Sequence, residues 1–183
     1  MRVIAGKYKS RPLKTVKSNL TRPTTDRNKE NMFNIIGPYF DGGVVLDLFA
    51  GSGGLGIEAL SRGCKELYSV DKQYAAFKVI KENFELLKLE TAHVFKLDYR
   101  KALEKFANMS LKFDLVILDP PYGKNMVPDI FAYLLEHDML QNEAIIVVEE
   151  LKEVTFPEYQ KLNLLKKYQY GITALNIFKY GVG

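Results

Sequence analysis

From residue 44 onward, apolar runs alternate with amphipathic segments. The runs are VVLDLF (44–49), ELYSVD (66–71), AHVFKL (92–97), FDLVILD (113–119) and AIIVVEE (144–150). A strand that is apolar at nearly every position has both faces covered, which is the signature of a parallel sheet between helices. The segments between the runs, 54–62, 73–88, 99–107 and 126–137, have helical periodicity. Together they predict an α/β fold, a doubly wound, mostly parallel sheet. Two later runs, LNLLKKYQY (162–170) and ALNIFKYG (174–181), flank Gly171 and predict a C-terminal antiparallel hairpin at the sheet edge.

The stretch before residue 44 reads differently. Residues 2–5 and 13–16 are candidate short strands around the turn-rich Gly6–Pro12. Pro23 breaks regular structure, Thr25 and Asp26 are candidate N-caps, and Met32, Phe33, Ile35 and Ile36 form an apolar stripe on a helix that Gly37-Pro38 ends. The expected organisation is an N-terminal extension over residues 1–43 and a main domain over 44–183. Its charge is uneven. Residues 1–30 hold nine Lys/Arg against two Asp/Glu, a net of +7; the rest hold 17 against 20, a net of −3. A basic arm without a large apolar face predicts a polyanionic partner, nucleic acid before membrane. Lys7, Lys9, Arg11, Lys14 and Arg22 are its candidate contacts. Lys166, Lys167, Tyr168 and Tyr170 mix charge with aromatics but read first as a solvated hairpin.

Cysteine and histidine are scarce. Cys64 is alone, and His93 and His137 stand apart, so a disulfide framework and a multi-cysteine zinc site are excluded. Cys64 and His93 read as structural residues. The N-terminus MRVIAGKYKSRPLK has scattered charges and no apolar core, unlike a signal peptide. No apolar run reaches the roughly 18 residues of a membrane span. A reducing cytoplasmic setting is the expectation.

The first strand runs into Asp47-Leu-Phe-Ala50-Gly51-Ser-Gly53-Gly54-Leu-Gly56, and a helix follows. Glycines in such a turn let backbone approach a ligand closely. Asp71 ends the second strand 20 residues after Gly51, where an acid holds a ribose hydroxyl. This fingerprint alone fits a dinucleotide or S-adenosylmethionine. A carboxylate at Asp47 suits the cationic methionine end of S-adenosylmethionine and repels a pyrophosphate. The loop lacks the Gly-Lys-Ser/Thr of a nucleoside triphosphate site. Asp98 ends the third strand, where it serves as a helix N-cap, as an acceptor for the adenine amino group, or as both.

The fourth strand ends in Asp119-Pro120-Pro121-Tyr122. Two prolines remove two N–H donors and stiffen the chain, leaving carbonyls free. An acid followed by free carbonyls receives an amino group, and Tyr122 offers a ring for a base to stack on. The lone pair of a nucleobase amine is delocalised into the ring. Acceptors that grip its hydrogens favour the pyramidal geometry needed to attack a sulfonium methyl.

These motifs resemble a class I (Rossmann-like) S-adenosylmethionine-dependent methyltransferase with the D/N-P-P-Y signature of amino-methyltransferases. The chain is more closely similar to the RsmD family of small-subunit ribosomal RNA methyltransferases. That likeness is carried by RVIAGKYKSRPLK, RPTTDRNKENMFNII (22–36), LDLFAGSGGLGIEALSRG (46–63) and ILDPPYGK (117–124). Asn28-Lys-Glu-Asn31 departs from the commoner V-[RK]-E-[AT] pattern of the family. The resemblance implies methylation of guanine N2 in 16S-type rRNA, within a small-subunit particle, by a monomer without metal or membrane. It implies that Asp47, Ala50, Gly51, Gly53, Asp71 and Asp98 line the cofactor pocket and that Asp119, Pro120, Pro121 and Tyr122 hold the guanine. Arg22, Thr24, Thr25 and Asp26 would close near the cofactor. The alternatives weighed are a DNA adenine-N6 or cytosine-N4 methyltransferase, an inactive nucleic-acid-binding module and a nicotinamide oxidoreductase. DNA enzymes usually carry a target-recognition insertion, and none interrupts residues 44–150. The intact Asp47, Asp71 and Asp119-Pro-Pro-Tyr oppose the second, and Asp47 with the tetrapeptide opposes the third.

Overall fold

A computed structural model of the chain describes residues 1–17 and 24–181. The elements are α1 (Asp26–Ile36), β1 (Val44–Asp47), α2 (Gly54–Ser61), β2 (Glu66–Asp71), α3 (Tyr74–Leu86), β3 (Ala92–Lys96), α4 (Tyr99–Asn108), β4 (Phe113–Leu118), α5 (Val127–Glu136), β5 (Leu140–Leu151), β6 (Leu162–Tyr170) and β7 (Thr173–Tyr180). The strands form a seven-stranded sheet in the order β3-β2-β1-β4-β5-β7-β6. Strands β1 to β5 pair in parallel, and β7 runs antiparallel to β5 and β6. The α/β class and the terminal hairpin are those expected from the sequence.

Alternation along each strand explains the apolar runs. Leu46, Val116, Leu118, Ile146 and Val148 face one cluster, which α4 and α5 cover. Val45, Leu115, Ile117 and Val147 face the other, which α2 and α3 cover. Both faces are buried, so nearly every strand position is apolar. Strand β1 ends at Asp47 because Leu48 and Phe49 already belong to the loop, and β5 starts earlier than expected, at Leu140.

Helix α1 forms where its caps predict. Thr25 Oγ1 accepts the Asn28 N–H at 3.1 Å, and Asp26 lies in the first turn, where a negative charge suits the helix dipole. Met32 and Phe33 are buried in the same cluster as Ile57 of α2 and Ile80 of α3.

The two N-terminal strands expected from the sequence do not form. A single bridge joins Arg2 to Pro12. The reason is where the backbone donors go. Ile4 N donates to Glu58 at 2.9 and 3.1 Å, Lys7 N to the Ser61 carbonyl at 2.8 Å, and Tyr8 N to Ser61 Oγ at 3.0 Å. The arm therefore keeps only a short pairing with itself, Val3 N donating to the Arg11 carbonyl at 3.0 Å and Leu13 N to the Met1 carbonyl at 2.8 Å, while its other donors fasten it to α2. Val3 and Leu13 anchor it in the core, each burial contributing about 1.5–3 kcal/mol. Glu58 is itself buried, at 3.5 Å from the buried Arg62 guanidinium.

Candidate active site

The strand order reverses between β1 and β4, because β2 and β3 lie on one side of β1 and β4 to β7 on the other. Ligands of open α/β sheets bind in the crevice that such a reversal opens at the carboxyl ends of the strands. Asp47 and Asp119 both stand there, one at the end of β1 and one just past the end of β4.

The loop after β1 is held by a chain of short bonds. Ala50 N donates to the Val70 carbonyl at 2.9 Å, and Gly53 N to the Ala50 carbonyl at 2.8 Å. Gly51 N donates to Asp71 Oδ2 at 2.9 Å, while Asp71 Oδ1 accepts the Gln73 N–H at 2.9 Å. Asp47 Oδ2 accepts the Gly56 N–H at 3.2 Å. Gly51 and Gly53 have φ of +59° and +84°, a region that favours glycine. A Cβ at Gly51 would meet nothing within 4 Å, so its outer face is open to a ligand. A Cβ at Gly56 would lie 2.6 Å from Leu67, so that glycine is required for packing.

The electrostatics are lopsided. Asp47 is 1% exposed. Burial pushes its pKa up to about 7 against the downward pull of the Gly56 bond, and the nearby Asp71 charge adds to the rise. Asp119 is raised well above the ordinary carboxylate range, first by burial and then by Glu149, Asp47 and Glu150. Glu149 is raised by burial, while the Tyr122 hydroxyl, donating to Oε1 at 3.1 Å, pulls it back. Burial and the Glu149 and Asp119 charges also raise the Tyr122 and Tyr170 phenols. Several carboxylates thus crowd one crevice, an arrangement suited to a cationic ligand.

The structure brings Asp47, Ala50, Gly51, Gly53 and Asp71 together and sets Asp119, Pro120, Pro121 and Tyr122 beside them across the β1–β4 pair. The tetrapeptide's proline carbonyls follow an acid, as the sequence implies, and Tyr122 is 42% exposed. Asp98 caps α4, with Oδ1 accepting the Arg100 N–H at 2.9 Å. A groove of about 860 Å³ opens near it along the free edge of β3, between Tyr74, Phe77 and Lys101, two strands away from β1.

The basic arm divides. Lys7 and Lys9 are exposed. Arg11 donates to the Leu86 carbonyl at 3.3 Å, and Lys14 pairs with Glu82 at 3.2 Å. Lys29 is buried, its Nζ donating to the Arg2 carbonyl at 2.6 Å. Burial lowers its pKa against the raising pull of Glu58. Arg22 lies outside the described residues.

Sequence reasoning missed three residues. Asn83, buried in α3, accepts the Lys14 N–H at 2.8 Å and donates to the Lys14 and Ser52 carbonyls, each at 3.0 Å. Ser52 Oγ accepts the Val16 N–H at 2.9 Å. The arm is thereby tied to the glycine loop. Glu149 was read only as the end of a strand. Cys64 is buried as expected and its thiol is pushed up to about 12 by burial, then by Asp114. His93 stacks on Tyr68 at 4.8 Å and lies 3.0 Å from Glu66.

Comparison with known proteins agrees with this geometry. Residues 1–179 match the family described as Conserved hypothetical protein 95. The chain is 45% identical to Bacillus subtilis YlbH over 181 residues, 98% of each protein. It superimposes on the solved structure of Escherichia coli yhhF with a TM-score of 0.85 at 28% identity, covering 100% of this chain and 99% of that one. It is 35% identical to Ribosomal RNA small subunit methyltransferase D of Haemophilus influenzae, across 98% of this chain and 93% of that protein. With this sheet, this loop and a likeness that runs nearly end to end, the chain belongs to the ribosomal RNA small subunit methyltransferase D family.

Proposed function

We propose that this protein transfers one methyl group from S-adenosylmethionine to the exocyclic N2 amine of a guanine in 16S-type ribosomal RNA. The observation that carries this reading is Asp119-Pro120-Pro121-Tyr122 standing beside buried Asp47 where the strand order reverses. The residues fit the cofactor. Asp47 and Asp71 put negative charge around a loop whose Gly51 faces open space, and S-adenosylmethionine carries its positive charge at the methionine end.

Bound there, S-adenosylmethionine supplies an electrophilic methyl on sulfur. Asp47 balances the cationic end, and Asp71 accepts from the ribose hydroxyls. Asp119 and the Pro120 carbonyl accept the two hydrogens of the guanine amine and aim its lone pair. Tyr122 stacks on the base. Asp119, with its raised pKa, is matched to taking the proton that the methylated amine sheds. The reading extends to a small-subunit particle as substrate and to a monomeric enzyme in the cytosol. Among the described residues, no helix is long and apolar enough to cross a membrane. Labelled S-adenosylmethionine, undermethylated small subunits and nucleoside analysis test it: label in N2-methylguanosine supports the reading, and label elsewhere or nowhere overturns it.

Cofactor affinity should depend on pH. Below a pKa of about 7, Asp47 is protonated and offers no charge to the cation. Binding the cation favours ionised Asp47, so affinity should rise from about pH 6 to about pH 8, by at most about tenfold per unit below the pKa. Asp71 and Asp119 share the crevice with Asp47. Calorimetric titration across this range is the check. Asp47→Asn should weaken binding and flatten the curve; an unaltered curve in that variant removes Asp47 from the cofactor site.

The exposed arm lysines should contribute phosphate contacts. Replacing Lys7 and Lys9 with alanine should weaken particle binding. It should also flatten the slope of log affinity against log salt by about one unit per lost contact. Filter binding at several salt concentrations measures it. Cofactor affinity should hold, because neither side chain reaches the glycine loop. An unchanged slope would move the RNA surface elsewhere, with the Lys166–Tyr170 strand next.

A further inference from the structure

Glu149 belongs to the substrate site by register. Leu118 of β4 pairs with Val148 of β5 in parallel, so Asp119 and Glu149 are the next neighbours along the two strands. Paired residues of adjacent strands point to the same face, about 4.8 Å apart. Ile117 and Val147, one pair earlier on that face, lie in the cluster beneath α2 and α3. Asp47 pairs with Ile117 and shares the face too. The hydroxyl of Tyr122 donates to Glu149 Oε1 at 3.1 Å, which fixes both the ring and the carboxylate. Tyr170 is near both carboxylates; its phenol is raised by burial and then by the Glu149 and Asp119 charges.

Two neighbouring carboxylates in one desolvated crevice do not both ionise freely. Asp119 is raised by burial and then by the Glu149 charge, whereas the Tyr122 hydrogen bond favours the ionised form of Glu149. The Tyr122 hydroxyl thus holds Glu149 in the form that accepts hydrogen bonds. With Oε1 bonded to Tyr122, Oε2 is left as an acceptor.

Chemistry decides what such an acceptor recognises beside a gripped amine. Guanine carries a second donor, N1–H, next to its exocyclic amine. Adenine and cytosine carry a ring nitrogen lone pair there. We infer that Glu149 reads the N1–H of the target base while Asp119 holds the N2 amine, so that the pair selects guanine among the three amine-bearing bases. This rests on the guanine-N2 reading above and adds to it the residue that sets base choice. An ionised carboxylate facing a lone pair finds no hydrogen to accept and repels it, so adenine and cytosine are turned away even when their amines can enter.

The test uses reconstituted small subunits with guanine or 2-aminopurine at the methylated position, under single turnover at saturating S-adenosylmethionine. 2-Aminopurine keeps the amine at C2 but has a lone pair at N1. The wild-type protein should prefer guanine by about tenfold or more, the worth of one hydrogen bond to a charged group. Glu149→Gln should slow guanine methylation about 10- to 150-fold. It should also close most of the gap between the two bases, because its amide can donate to the lone pair. Its affinity for S-adenosylmethionine should match the wild type, which also reports that the fold is intact. A Glu149→Gln variant that keeps the wild-type preference for guanine overturns this role for Glu149 and leaves the guanine reading standing. A wild-type protein that methylates no guanine at all sinks both.

Discussion

Asp119→Ala is expected to keep the fold and the cofactor and to lose about 100- to 1000-fold in single-turnover methyl transfer. The substitution removes a preorganised acceptor that acts only on the target amine. It also removes a carboxyl group buried beside Glu149, Asp47 and Glu150 in a desolvated crevice. Burial, and then the Glu149, Asp47 and Glu150 charges, disfavour its ionised form, so the unliganded protein should be no less stable without it. Stability and activity should therefore part company, which a purely structural residue cannot produce. Thermal unfolding and rapid-quench kinetics at saturating cofactor measure the two sides. Near-normal turnover would assign the grip on the amine to the Pro120 carbonyl and Tyr122 alone. Lost stability in step with lost turnover would make Asp119 a folding residue.

The sheet was legible because burial on both faces leaves a direct trace in composition. VVLDLF and FDLVILD are apolar through their length since Val45 and Leu46, or Leu115 and Val116, face opposite buried clusters. Glycine loop and tetrapeptide were legible because each encodes a local conformation: positive φ at Gly51 and Gly53, and missing donors at Pro120 and Pro121. The arm was not legible. RVIA and LKTV have strand composition, yet Ile4, Ala5 and Lys14 bond to Glu58, Ser61 and Asn83, distant in sequence. Nothing local shows that α2 and α3 will take those bonds and leave the arm a single bridge with a few bonds of its own. The charge count misled in the same way: Lys29 adds to the +7 of residues 1–30 but is buried and bonded to the arm's own backbone. Asn83 sits mid-helix with no motif around it. Its amide matters because it faces both Lys14 and Ser52, a fact of packing. Glu149 owes its place to the β4–β5 register, which no single strand reveals.

Asp71→Ala should weaken S-adenosylmethionine binding about 10- to 150-fold, the loss of hydrogen bonds worth about 1.5–3 kcal/mol to a charged acceptor. Two effects contribute. One is direct, the ribose hydroxyls losing their acceptor. The other is the loop, because Asp71 Oδ2 holds the Gly51 N–H and Oδ1 holds the Gln73 N–H, each at 2.9 Å. Without the carboxylate, Gly51 loses the partner that fixes its positive φ, and the cradle must be ordered by the ligand itself. Asp71→Asn separates the two. Its carbonyl oxygen can still accept from Gly51, but the side chain has no charge and its NH2 group, which only donates, replaces the other acceptor oxygen. If the loop dominates, the asparagine variant should bind nearly as well as wild type; if the ribose contact dominates, it should resemble alanine. There is a further consequence at Asp47. Asp71 is one of the charges that raise the Asp47 pKa, so both variants should shift the pH profile of whatever binding remains toward lower pH. Calorimetric titration of S-adenosylmethionine into each variant at several pH values reads all three effects together. Unchanged affinity in Asp71→Ala would place the cofactor's ribose away from β2 and overturn the cofactor assignment on which the reaction depends.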